Sequence, residues 1–228
     1  MKKNMQIDKA LRIIALSLVV VISGLSGLIH LAQANTSTTL NQTINPGSLT
    51  MDFKDNSEVS TTTSVTFGAL AVSATCQQTA TSSLGSATQR IWIDNLNAAN
   101  NGWTVSIGAA TSSLWHNVAS TSKYDFNDAG GAGCTDGDAD TFGGQMFIDP
   151  TAATIATGSV PTTMTGVSAG AATAFTSAAS NVTLIQAAAG SDDIGKWKAY
   201  GFGVSQKIPA NQSSNAYSFD LTVTIVAN

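Results

Sequence analysis

Residues Tyr124 to Gly144, YDFNDAGGAGCTDGDADTFGG, gather Asp125, Asn127, Asp128, Asp136, Asp138 and Asp140 in one short stretch. Asp136-x-Asp138-x-Asp140 has the alternating oxygen spacing that hard cations take from a loop. It is not an EF-hand, because Thr141 stands where that loop needs glycine and Phe147 where it needs the bidentate glutamate. Two readings follow. One is a calcium loop built on Asp136, Asp138 and Asp140, with Asp125 and Asp128 as further ligands. The other is a solvated acidic turn, since Asp and Gly are good turn residues.

Catalytic chemistry has few parts to work with. Beyond the N-terminal leader argued below, the chain carries one histidine, His116, and one glutamate, Glu58. No Ser/His or Cys/His arrangement is evident. His116 in LWHNVAS reads as a surface-loop residue. The pair Asp192-Asp193 could mimic the paired carboxylates of a glycosidase, but neighbours on a strand point to opposite faces, and a turn or a helix start capped by aspartate explains them more simply. No phosphate loop, zinc spacing or dinucleotide fingerprint is present. The expectation is a non-enzymatic protein with no cofactor other than the candidate calcium ion.

Four tryptophans could serve as sugar-stacking surfaces: Trp92, Trp103, Trp115 and Trp197. Trp103 shares a strand face with Val105 and Ile107, which argues for the core. Trp92, opposite Ile91 and Ile93, and Trp115, in a long polar stretch, are the candidates for exposed glycan contact.

The elements that must position these residues read as strands. Lys2, Lys3, Lys9 and Arg12 precede an apolar run from Ile13 to Leu31 and a small-residue Ala32-Gln33-Ala34 step, the pattern of a secretory leader cleaved after Ala34. Uncleaved, the same segment could just span a bilayer. Without it the chain carries 6 Lys and Arg against 13 Asp and Glu, a net charge of −7, which disfavours nucleic acid as a partner. Cys76 and Cys134, an even count in a chain bound for an oxidising compartment, read as a structural disulfide.

Period-two alternation recurs in SLTMDF, QRIWIDN, NGWTVSI, GQMFIDP, NVTLIQA and YGFGVSQKI, and strand character in FGALAVSAT. It is clearest at the C-terminus, where Tyr217, Phe219, Leu221, Val223 and Ile225 alternate with Ser218, Asp220, Thr222 and Thr224. Residues 108–142 and 150–180 read as long loops rich in Ser, Gly, Asp, Ala and Thr. Many short alternating strands between turn residues predict an all-β, immunoglobulin-like antiparallel sandwich. The expected organisation is a leader over 1–34, a flexible polar segment over 35–45 and the sandwich over 46–228.

The order of these motifs resembles the WxL-domain family of bacterial secreted cell-surface proteins. It comprises PGSLTMDF (46–53), VTFGAL (65–70), RIWIDN (90–95), NGWTVSI (101–107) and IPANQSSNAYSFDLTVTI (208–225). The first W-x-L position is filled by Trp103-Thr104-Val105, and the second, preceded by Tyr217, by Val223-Thr224-Ile225, without the second tryptophan. The resemblance implies a secreted β-sandwich held non-covalently at the cell surface, with peptidoglycan or a surface glycan as ligand and other surface proteins as neighbours. The alternative is a self-assembling subunit of a surface layer or fibre, in which the Thr/Asn-rich segment Asn35–Asn45 adds to a neighbour's sheet edge.

Overall fold

The computed structural model describes residues 41–45, 47–97, 100–110, 114–158, 163–190 and 194–228. The chain divides into two units, Met1–Ile44 and Asn45–Asn228. The expected leader and the start of the polar segment lie outside the described residues, as do Asp192 and Asp193. Among the described residues no helix is long and apolar enough to cross a membrane.

The second unit is an antiparallel all-β sandwich. Its first sheet runs in the order β1 (Leu49–Lys54), β4 (Arg90–Asn95), β13 (Gly195–Tyr200), β9 (Thr154–Thr157). Its second runs β10 (Val167–Ala169), β12 (Asn181–Ala187), β5 (Trp103–Ala109), β16 (Leu221–Ala227). A third has the order β11 (Thr173–Ala174), β8 (Gln145–Asp149), β14 (Phe202–Ile208), β2 (Gln77–Gln78), with β3 (Ser82–Leu84) also on β14. The hairpin of β6 (Leu114–Asn117) and β7 (Lys123–Asp125) carries β15 (Tyr217–Ser218) as a third strand.

Alternation explains the packing of the first two sheets. Ile91 and Ile93 of β4 and Trp197 and Ala199 of β13 are buried from one side, and Trp103, Val105 and Ile107 of β5 from the other. The Trp103 and Trp197 rings meet with centroids 5.4 Å apart, joining the two layers at the centre. On the wet face of β5, Ser106 Oγ and Thr224 Oγ1 lie 3.1 Å apart across the register pair that joins β5 to β16, a cross-strand polar pair of the kind that supports a sheet. In β12 the register shifts between Thr183 and Ile185, so Leu184 and Ile185 both turn inward, the effect of a bulge on a period-two strand.

Three strand expectations need correction. YGFGVSQKI is two strands, because Gly201 takes φ 82 and the chain passes there from the first sheet to the third, a backbone conformation that favours glycine. FGALAVSAT is not a strand, and no residue from 61 to 76 belongs to one. The long terminal strand is interrupted at Phe219 and Asp220, where Ala110 N–H donates to the Asp220 carbonyl at 3.0 Å. The two expected long loops also hold strands: β6 and β7 lie in 108–142, and β9, β10 and β11 in 150–180.

Candidate functional site

The acidic residues converge where β7 ends. Asp125 closes that strand, and its main chain is gripped on both sides. Its N–H donates to Gly143 O at 2.9 Å, and its carbonyl accepts from Gln206 Nε2 at 2.9 Å. Asp125 is 0% and Asp128 1% exposed, whereas Asp136 and Asp138 are exposed and Asp140 half-buried. One carboxylate oxygen of each buried residue is satisfied by backbone. Phe126 N–H and Asn127 N–H donate to Asp125 Oδ1 at 2.6 and 3.3 Å, and Gly137 N–H donates to Asp128 Oδ1 at 3.2 Å. The other oxygens, Asp125 Oδ2 and Asp128 Oδ2, are buried without a hydrogen-bond partner, and so is Asn127 Oδ1.

Two groups of carboxylate oxygens come together, each within 4.8 Å of one another: Asp125, Asp128 and Asp140, and Asp128, Asp136 and Asp138. Burial pushes the Asp125 carboxyl up to about 7; the Phe126 and Asn127 amides oppose this, and the neighbouring Asp128 and Asp140 reinforce it. Burial likewise raises Asp128, against the Gly137 amide and with the charges of Asp138, Asp136 and Asp140. The expected trio is therefore reordered. Asp136, Asp138 and Asp140 spend one oxygen each on the N–H two residues ahead, at 3.1, 3.0 and 2.7 Å, as turn-forming aspartates do. The buried centre is formed by Asp125 and Asp128. Alternating spacing singled out the loop but not the pair that the fold buries.

Cys76 and Cys134 form the disulfide. It ties this acidic loop to the end of the segment 61–76 that joins no sheet. Burial in that segment still alternates: Thr61, Thr63, Val65 and Phe67 are half-buried, while Thr62, Ser64 and Thr66 are exposed. Among the described residues its backbone meets other backbone only at Thr61 N–H to Phe53 O, 2.8 Å, and Asn211 N–H to Ser73 O, 2.7 Å. Between this segment and the terminal strand lies a cavity of about 530 Å³ whose lining mixes Phe53, Val65, Phe67, Phe219 and Leu221 with polar residues such as Thr63. A second of about 530 Å³ continues past Leu70, Val72, Tyr124 and Tyr217. Strand β16 is the edge of its sheet on this side, and Tyr217, Phe219, Leu221, Val223 and Ile225 are only partly covered.

Neither candidate glycan platform has the exposure expected of it. Trp92 is 6% exposed, and Lys198 Nζ lies 5.7 Å from its ring centroid. The register pairs Trp92 with Asp52 on one side and Lys198 on the other, and the stem of a long cation covers apolar surface while its head stays wet. Trp115 is 8% exposed and stands on β6 rather than in a loop. It stacks on Tyr124 with centroids 5.6 Å apart and planes 8° apart, and meets Phe219 at 5.5 Å and Phe67 at 5.9 Å. Its Nε1 donates to Gln206 Oε1 at 3.1 Å. Trp103 is 0% exposed, as its face predicts. His116 also lies on β6, half-buried, with Nδ1 3.4 Å from the Leu114 carbonyl.

The two W-x-L-like stretches lie side by side. Register places Ile225 opposite Val105, Val223 opposite Ile107 and Ala227 opposite Trp103. Tyr217 stands apart, its ring 5.0 Å from Tyr124 and its hydroxyl donating to Ser213 O at 2.8 Å. Gln206 was not visible as a site residue in the sequence. It is a fully buried amide that joins Trp115, Asp125 and the third sheet, and one glutamine in an alternating strand carries no signal of such a role. Comparison with family models, curated proteins and solved structures finds no match for this chain.

Proposed function

We propose that this chain is a non-enzymatic, secreted surface protein that acts as a structural subunit, joined to its neighbour by strand addition. The observation that carries the reading is that segment 61–73, which joins no sheet, lies across a cavity from the edge strand β16. An added strand gains main-chain hydrogen bonds from an open edge and specificity from pockets for alternate side chains. Open edges are otherwise blunted by charge, proline or a covering element, and β16, LTVTIVA, has no charged residue and no proline. The occupant is the polar segment Asn35–Asn45 of a second copy. In an extended strand Leu40 and Ile44 share one face with Thr36, Thr38 and Gln42. Ile44 is 85% exposed. The segment's 11 residues can extend over about 36 Å, more than the seven residues of β16 require.

Non-covalent association with the envelope is the second reading. It is favoured by the motif order shared with WxL surface domains and by the adjacent placement of the two motif strands. Sedimentation of the full chain alone and with purified cell wall separates the two. Self-pelleting that is lost on deleting residues 35–45 and inhibited by a peptide of that sequence supports strand addition. Pelleting only with wall, indifferent to both perturbations, refutes it in favour of envelope binding.

A further inference from the structure

We propose that Asp125, Asp128 and Asp140, assisted by the side-chain carbonyl of Asn127, bind one hard divalent cation, with Ca2+ the best match. Clustering alone does not make the argument, because exposed aspartates gather in turns without any ion. What points to a ligand is the state of the buried oxygens. Asp125 and Asp128 are 0% and 1% exposed, and Asn127 3%. Each keeps one oxygen with no donor: Asp125 Oδ2, Asp128 Oδ2 and Asn127 Oδ1. Buried polar atoms are normally satisfied, and each exception calls for an explanation such as an ion. Water can donate to such oxygens but neutralises neither buried carboxylate. Protein cations do not answer the need either: the one ion pair among the described residues is Lys196 with Asp94, elsewhere in the first sheet.

Donor type selects the ion. Carboxylate oxygens of Asp125, Asp128 and Asp140 all lie within 4.8 Å of one another. At such separations one ion can be shared by all three carboxylates. Octahedral Mg2+ dehydrates reluctantly and keeps much of its water, so a site built largely from buried protein oxygens favours Ca2+. The donors are all oxygen, with the nearby sulfur of Cys134 already in the disulfide, which disfavours soft metals. The second group, Asp128, Asp136 and Asp138, has one buried and two exposed carboxylates. It surrounds the centre with charge rather than forming it. Occupancy would bind the end of β7 to the loop that Cys134 tethers to Cys76.

The test is calorimetric titration of CaCl2 into chelator-treated full chain, with melting followed by circular dichroism. One ion should bind with a dissociation constant of about 0.1–1 mM, the range of extracellular modules, and melting should rise as calcium increases. Mg2+ should bind at least about tenfold more weakly. Asp140→Asn, at a half-exposed position, should fold normally and weaken calcium binding by about tenfold. Asp125→Asn should abolish binding while leaving the calcium-free melting temperature unchanged or raised, because it removes an unpaired buried charge. Absence of both heat and thermal shift at about 10 mM calcium, well above that range, would overturn the site. So would calcium binding retained by the Asp125→Asn, Asp128→Asn double variant, or a marked fall in calcium-free melting for Asp125→Asn alone.

Discussion

Trp103 and Trp197 meet at the centre of the sandwich, and both are 0% exposed, but their polar atoms differ. Trp197 Nε1 donates to Thr163 O at 2.8 Å, whereas Trp103 Nε1 is buried without a partner. Truncating Trp103 to alanine withdraws roughly 200 Å² of buried ring, about 5 kcal/mol at 25 cal/mol per Å². Relief of the orphaned N–H returns about 1–2 kcal/mol. The expected cost of Trp103→Ala is therefore about 3–4 kcal/mol, within the range for truncating a buried aromatic. The decisive pair is Trp103→Phe and Trp197→Phe. Both lose similar apolar volume, but the first removes an unsatisfied donor and the second gives up a made hydrogen bond. Trp197→Phe should thus be less stable than Trp103→Phe by about 1–3 kcal/mol. Urea unfolding followed by circular dichroism, which does not depend on the replaced fluorophore, measures the difference. Equal losses for the two phenylalanine variants, or a Trp103→Ala cost below about 1 kcal/mol, a surface-like value, would refute the reasoning.

Two further outcomes follow from the acidic loop and its tether. In chelator, the raised Asp125 pKa means that the folded state holds a proton the unfolded state has lost. Its contribution is fully present below about pH 4 and is lost as pH rises through about 7, worth up to about 4 kcal/mol. The stability difference between wild type and Asp125→Asn should therefore widen against the wild type across that interval, as pH-dependent urea midpoints would report; a difference independent of pH would contradict it. Opening the Cys76–Cys134 bridge, which closes a sequence separation of 58, should cost about 4 kcal/mol in the chain-entropy account. A Cys76→Ser, Cys134→Ser variant with an unchanged urea midpoint would show that the unfolded loop was already constrained.

Local chemistry is readable without neighbours, and that is the part this sequence determined by itself. Period-two alternation marked the inward residues of β1, β4, β5 and β8, since a strand's side chains take opposite faces whatever it pairs with. The paired cysteines and the acidic character of residues 125–140 were legible for the same reason. Pairing and coverage were decided only in three dimensions. Thr61 to Phe67 alternates like a strand yet joins no sheet, because strand status needs a partner's donors and acceptors. Trp92 lies opposite the core isoleucines, as its position indicates, but it is only 6% exposed, with Lys198, more than 100 residues further along the chain, over its ring. Asp125 and Asp128 look no more acidic in sequence than Asp136 or Asp138. The closing of the 134–144 loop over the end of β7 hides the first pair from water and leaves the second in it, and burial is a property of the whole packed chain.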